Sequence, residues 1–314
     1  MAKPIALVTR MDLEAEMVWK EALADVLPEE KILSFSEMSE AERHDAQLAI
    51  VANPDPADIA KLPNIEWLHS LWAGVERLVA ELGRDAPPIV RLVDPELARV
   101  MAEAVLAWTY YLQRDMPAYR ASQQNAAWQP REYRHPRDVT VGLLGLGELG
   151  TVAAERLKGA GFSTIGWSRS EKTLAGIETM SGAEGFDRLL AQSDILVCLM
   201  PLTAQTRGML NAGSFERMKP GAALINFARG PIIVDADLIA ALDRGRLSHS
   251  VLDVFAEEPL PQTAPFWHHP AITVLPHISG PTDRFTAAGI VAANIRKWRN
   301  TGHLPKTVDP GTGY

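Results

Sequence analysis

Short apolar runs alternate with stretches of helical periodicity along nearly the whole chain. IALVT at 5–9, LAIVA at 48–52, EWLHSL at 66–71 and PIVRLV at 88–93 predict the strands of a first unit. Between the first two, Asp12 to Leu27 carries apolar residues at helical spacing. Pro95 then opens a long apolar-periodic segment over about 96–117, expected to end before Pro117. Arg120 to Asp138 is polar and rich in Arg, Gln and Pro, and predicts a loop. A second unit starts with VTVGLLGLG at 139–147 and continues with strands at 163–168, 195–200, 222–227, 249–255 and 272–277. This alternation predicts an α/β protein with two doubly wound parallel-sheet domains. The final helix, about 283–300, has no strand left to follow in the second unit. It is therefore assigned to the first, giving a discontinuous domain of 1–97 plus 283–314 around an inserted domain of 98–282.

Composition narrows the function class. At 314 residues, two domains fit better than one core. A hydrophobic fraction of 47% with 22% charged residues is that of an ordinary globular protein. The net charge of −8 argues against nucleic-acid or membrane-surface partners, though a local arginine still admits an anionic ligand. Cys198 is the one cysteine, so no internal disulfide forms, and its setting in DILVCLM reads as core. KPIALVTRMD meets charges too early for a signal peptide, and no run approaches bilayer length. A cytoplasmic location is the expectation. His268 and His269 are adjacent without other ligands around them, so they read as surface residues and no metal site is expected.

GLGELG at 145–150 fits the dinucleotide turn G-x-G-x-x-G, following a strand and opening the helical pattern VAAERLKGAG. Gly145 would make the tight turn, Gly147 would let the backbone approach a pyrophosphate, and Gly150 would allow close helix–strand packing. The following helix start, with Glu148 and Leu149, offers free N–H groups to phosphate. An NAD site usually ends its second strand on an acid that binds the ribose 2′-OH. Here GWSRSEK puts Ser168 in that place, followed by Arg169 and Ser170. A hydroxyl and a guanidinium suit a 2′-phosphate, so NADP(H) is the expected cofactor, with NAD(H) a second option.

Three further residues stand at or just beyond strand ends: Arg229 in NFARG, Glu258 in LDVFAEEPLP and His277 in LPHISG. The carboxyl ends of strands in an open parallel sheet line one crevice, where ligands bind. A cation, a carboxylate and an imidazole there can anchor an anionic substrate and pass it a proton. With a dinucleotide turn nearby, they point to hydride transfer on a 2-oxo or 2-hydroxy acid.

GLGELG, WSRS, LMPLTAQTRGML, NFARG, LDVFAEEPLP and PHISG together resemble the D-isomer-specific 2-hydroxyacid dehydrogenases. Within that family the chain looks most like the bacterial glyoxylate/hydroxypyruvate reductase A subgroup. The resemblance is strongest over about 139–280 and extends more weakly to LWAGVERL at 71–78 and the terminal VDPGTGY. It implies a flavodoxin-like substrate domain and a Rossmann cofactor domain. Arg229 would bind the substrate carboxylate and polarise its carbonyl, His277 would be the general acid, and Glu258 would hold the other ring nitrogen of His277. Glu257 would be a solvated neighbour.

The resemblance also implies cofactor contacts at Pro201, Leu202, Thr206, Phe227, Ala228, Asp253 and Gly280, with Asp253 at the nicotinamide carboxamide. Ordinary loop packing or a strand-end cap is the structural alternative. The backbone at Ala73, Gly74 and Val75 would grip the substrate carboxylate, with Trp72 and Trp128 as candidate pocket walls and Met101 near the substrate. Trp72 is bulky where relatives often carry a small residue, which suits small acids such as glyoxylate. A homodimer built around the long aromatic helix is implied as well. Two readings stay open beside NADPH-dependent reduction of glyoxylate and hydroxypyruvate. One is a dehydrogenase of a larger aryl or branched-chain acid; the other is a cofactor-sensing, corepressor-like binding protein on the same fold. Hinges near 97 and 282 would let the domains close.

Overall fold

In the computed structural model, residues 3–83 and 85–309 are described. The last part of VDPGTGY, residues 310–314, lies outside them. The chain divides into two units: residues 1–96 with 282–314, and residues 97–281.

The first stretch of chain runs β1 (Ile5–Thr9), α1 (Leu13–Val26), β2 (Ile32–Ser34), α2 (Glu40–Asp45), β3 (Leu48–Ala52), α3 (Pro56–Ile59), β4 (Trp67–Ser70), α4 (Glu76–Leu82) and β5 (Ile89–Val90). The inserted unit holds α5 (Pro95–Gln113), α6 (Met116–Gln124), β6 (Thr140–Leu144), α7 (Glu148–Gly159), β7 (Ser163–Trp167), β8 (Glu178–Met180) and α8 (Gly182–Gln192). It continues with β9 (Ile195–Cys198), α9 (Ala212–Arg217), β10 (Ala222–Asn226), α10 (Asp235–Asp243), β11 (Leu247–Leu252) and β12 (Ile272–Val274). α11 (Arg284–Thr301) closes the first unit.

The first unit has an all-parallel five-stranded sheet in the order β2-β1-β3-β4-β5, the flavodoxin-like winding. α11 returns to it. Ala287, Ala288, Val291, Ala292, Ile295 and Trp298 are buried against Leu23, Leu27 and Trp67. Arg296 and Arg299 bond Glu29 and Glu30 across that seam. The second unit has an all-parallel seven-stranded sheet, β12-β11-β10-β9-β6-β7-β8. Strand order reverses between β6 and β9, which makes that boundary the topological switch point. Parallel strands covered on both faces by helices read as continuous apolar runs, and β3, β9 and β10 are buried at every position.

Two expectations need correction. The long helix stops at Gln113, not before Pro117, because Asp115 adopts a left-handed φ of 55° and breaks it. A second helix then begins at Met116, with Pro117 in its first turn, where a missing N–H costs nothing. The polar stretch expected as loop from Arg120 is therefore helical through Gln124. The three-residue strands β2 and β8 were not anticipated; both are short edge strands of their sheets.

Candidate active site

The glycine turn has a form for each of its three glycines. Gly145 takes φ 103°, and a Cβ there would sit 3.0 Å from the backbone of Leu199. At Gly150 a Cβ would fall 1.8 Å from the Gly145 carbonyl oxygen, so only glycine lets α7 start this close to the strand. A Cβ at Gly147 would meet nothing within 4 Å. Gly147 thus leaves open space where the backbone must be approached, and it caps α7, whose first N–H groups lack intrahelical acceptors. Glu148 is exposed and Leu149 half-buried at that helix start. This cradle fits the pyrophosphate of a dinucleotide.

After β7 the chain turns through Ser168, Arg169 and Ser170. Ser168 is 8% exposed, and its hydroxyl donates to the Ser170 carbonyl at 2.6 Å. That proton is spent on the turn, so Ser168 shapes the loop, while Arg169 and Ser170 are exposed. After β9, the Thr206 hydroxyl donates to the Pro201 carbonyl at 2.7 Å and staples the loop. Leu202 packs on the buried core beneath it. The side chains of Phe227 and Ala228 are buried, leaving their backbone as the surface a ligand could meet.

Sequence reasoning missed the brace of the Arg229 loop. Asn226 is fully buried; its side-chain N–H donates to the Arg229 carbonyl at 3.1 Å, and its oxygen accepts from Ala228 N at 3.1 Å. Gly230 follows, where a Cβ would lie 2.0 Å from the Phe255 carbonyl carbon. Its absence lets the loop after β10 press on the loop after β11, so Arg229 and Glu258 come from touching segments. NFARG contained both signals: a polar residue ending an apolar strand, and a glycine after the arginine.

His277 Nδ1 lies 2.8 Å from Glu258 Oε2. The other carboxylate oxygen accepts the Phe255 N–H at 2.8 Å. The Glu258 bond, opposed by burial, holds the His277 pKa above its usual 6.5. Burial pushes Glu258 up, but the His277 and Phe255 bonds prevail and its pKa is lowered. Arg229 is near enough to act electrostatically on both. It donates to the Ala228 carbonyl at 2.6 Å and is half-buried. With Nδ1 engaged by Glu258, Nε2 is the ring atom left for a ligand, and the His277 side chain is 51% exposed.

His277 also has a φ of 54°, a left-handed conformation that non-glycine residues rarely adopt. Asp253, 1% exposed, holds the backbone just past it by accepting Ile278 N at 2.7 Å and Ser279 N at 2.9 Å. The Ser279 hydroxyl is buried with no hydrogen-bond partner among the described residues. An orphaned donor beside this carboxylate fits a polar group brought by a ligand, and only its position after the histidine could have flagged it. Gly280 is half-buried and faces Met101 and Leu97 of α5.

Within the first unit, the Trp72 N–H donates to Ser70 Oγ at 3.0 Å and starts the turn through Ala73, Gly74 and Val75 into α4. The Trp72 ring meets Trp19 edge-on at 5.7 Å, so it is braced by core packing. Trp128 is 98% exposed on the segment after α6. Cys198 is fully buried, and burial pushes its thiol to about 12. His269 departs from the surface reading: its side chain is 10% exposed and bonds Asp243 at 3.2 Å, whereas His268 is exposed. Among the described residues no group of three or more His, Cys, Asp or Glu side chains is placed to hold a metal ion.

The chain matches the sequence model of the D-isomer specific 2-hydroxyacid dehydrogenase NAD binding domain over residues 106–279. It is 35% identical over 284 residues to glyoxylate/hydroxypyruvate reductase A of Serratia proteamaculans, covering 88% of this chain and 90% of that protein. Among solved structures it is similar to a D-isomer specific 2-hydroxyacid dehydrogenase from Xanthobacter autotrophicus in complex with NADPH and MES. That likeness has a TM-score of 0.93 and 34% identity, over 100% of both chains. It is also similar to the NADPH-dependent glyoxylate/hydroxypyruvate reductase of Sinorhizobium meliloti, in complex with NADP and sulfate. There the TM-score is 0.91 at 32% identity, covering 99% of this chain and 100% of that one. A histidine–glutamate pair beside an arginine, at the carboxyl edge of a dinucleotide-type sheet, is thus found in a chain that belongs to the D-isomer specific 2-hydroxyacid dehydrogenase family.

Proposed function

We propose that this protein reduces small 2-oxo acids, glyoxylate to glycolate and hydroxypyruvate to D-glycerate, with NADPH as the preferred reductant. The observation that carries the reading is the 2.8 Å bond between His277 Nδ1 and Glu258, which favours the protonated imidazole beside Arg229. The relatives named above as NADPH-dependent or NADPH-bound support the cofactor. The inserted unit is the cofactor domain and the discontinuous unit the substrate domain.

Arg229 binds the substrate carboxylate and orients the carbonyl, because a planar guanidinium matches a carboxylate with two parallel hydrogen bonds. The bound dihydronicotinamide supplies hydride to the carbonyl carbon. His277 Nε2 delivers a proton to the carbonyl oxygen, so C=O becomes CH–OH and the histidine is left neutral. Glu258 keeps the ring oriented throughout and favours its protonated form. Gly147 and the start of α7 hold the pyrophosphate, and Arg169 and Ser170 meet the 2′-phosphate.

The protein is further inferred to be a cytoplasmic homodimer that binds no nucleic acid. Tyr110, Met116, Tyr119 and Trp128 leave 37%, 42%, 37% and 98% of their surface exposed on α5, α6 and the segment that follows, a large apolar area for a second copy to cover. Elution as a monomer at micromolar concentration counts against the dimer. No helix among the described residues is long and apolar enough to cross a membrane.

The test follows cofactor oxidation with glyoxylate, hydroxypyruvate and phenylpyruvate, using NADPH and NADH in parallel. Turnover of the two small acids with NADPH is expected. Turnover with phenylpyruvate alone overturns the substrate class, and cofactor binding without turnover of any acid overturns the enzyme reading.

A further inference from the structure

Lys172 lies four residues past Ser168, beyond the positions read for the cofactor. Its ammonium donates to the carbonyl of Leu146, the residue between Gly145 and Gly147. Its own carbonyl accepts the Thr179 hydroxyl at β8. The side chain therefore straps the loop after β7 to the turn after β6. In a sheet wound this way the adenosine ribose lies between those two strand ends, and the ribose carries the 2′-phosphate. An ammonium has three N–H donors, and the Leu146 carbonyl takes one. No carboxylate pairs with Lys172 among the described residues, and its side chain is exposed.

Charge sharpens the point. The Ser168 hydroxyl donates its hydrogen bond to the Ser170 carbonyl, and the exposed Glu171 offsets the cation at Arg169. Without Lys172 the loop 168–172 carries no net charge; with it, the loop carries one positive charge to set against a dianion.

We propose that Lys172 is the second cation of the 2′-phosphate site and determines the preference for NADPH over NADH, holding the glycine turn with one donor and the phosphate with the others. The proposal rests on the reading of this turn as an NADPH site. Like Arg169, Lys172 acts on binding and not on the chemical step.

The test is fluorescence titration of the purified full chain with NADPH and with NADH, for the wild type, Lys172→Met and Lys172→Arg. In Lys172→Met the NADPH Kd is expected to rise roughly tenfold or more, as for loss of a charge-assisted hydrogen bond, with the NADH Kd within about twofold. Lys172→Arg should restore most of the difference. A parallel rise for both cofactors makes Lys172 a structural strap only and overturns the assignment, as does a preference unchanged in Lys172→Met. If the wild type itself binds the two equally, the NADPH reading fails first and takes this assignment with it.

Discussion

Glu258 and His277 are joined by a 2.8 Å bond from a carboxylate oxygen to Nδ1, and the partners shift each other in opposite directions. His277 is raised above 6.5, so its proton is held to higher pH than on a free imidazole and is lost as pH climbs through the raised value. Reduction, which consumes that proton, should decline over that range, and oxidation of the hydroxy acid should rise over it. Glu258→Gln removes the main cause of the shift. The alkaline limb of kcat/KM for reduction is expected to move to lower pH, with turnover at pH 7.5 down roughly tenfold or more. An unmoved limb would separate the titration from this pair.

Asp253 gives a second test. Asp253→Ala leaves the N–H groups of Ile278 and Ser279 without their acceptor, and the buried one at Ser279 alone costs about 1–3 kcal/mol. The left-handed backbone at His277 then loses its brace. The expected result is a lowered melting temperature and a kcat reduced by roughly tenfold or more, with NADPH Kd little changed. A Kd that rises as steeply as kcat falls would instead mark a direct nicotinamide contact.

The glycine turn predicts opposite behaviour for two alanine variants. Gly150→Ala drives a methyl into the Gly145 carbonyl, at 1.8 Å, and should cost about 1–3 kcal/mol or more of stability. Gly147→Ala meets no protein atom within 4 Å, so its melting temperature should stay near that of the wild type. Its methyl occupies the space left for the pyrophosphate, and titration should show NADPH Kd raised at least tenfold.

Two buried histidines set the acid limit. Burial lowers His69 in the first unit and His249 in the second to about 4, far below 6.5. His69 Nδ1 lies 2.9 Å from the Ser70 carbonyl and its Nε2 is 3.0 Å from the Asn294 amide, an arrangement suited to a neutral ring. Each histidine binds protons more readily in the unfolded chain between pH 6.5 and about 4. Each therefore removes up to about 1.4 kcal/mol of stability per pH unit as pH falls through that window. Melting curves at pH 7, 6 and 5 should shift downward, and His69→Gln should flatten the trend.

The large-scale architecture was legible because buried parallel strands announce themselves as apolar runs. IALVT, LAIVA, VTVGLL and AALINF were read where the strands stand. β2 (ILS) and β8 (ETM) were not, because each is a three-residue edge strand with no longer apolar run around it, whereas the edge strands β12 and β5, no longer themselves, sit in the longer runs ITVLPH and PIVRLV. Pro117 misled for a local reason: it marks a helix start, and the break is made two residues earlier by Asp115. In the site, Arg229, Glu258 and His277 were legible as charged residues where strands end. Gly230 and the orphaned Ser279 hydroxyl were not, since their neighbours Phe255 and Asp253 lie 25 or more residues away in the chain, and Asn226, which braces only Ala228 and Arg229, read as one more polar residue at a strand end. Ser168 was named for its place, yet only the fold shows its hydroxyl turned inward.

The return of α11 to the first sheet has a consequence for biosynthesis. During translation the segment 1–96 emerges first but lacks the helix that covers Leu23, Leu27 and Trp67. The inserted unit, whose strands and helices are contiguous, can close while the older segment waits with part of its apolar face uncovered. At ribosomal rates that wait is on the order of 10 to 40 seconds. Truncation before residue 284 should therefore yield a nascent chain that folds in its later part, aggregates through its earlier part, and depends on chaperones until the final helix is made.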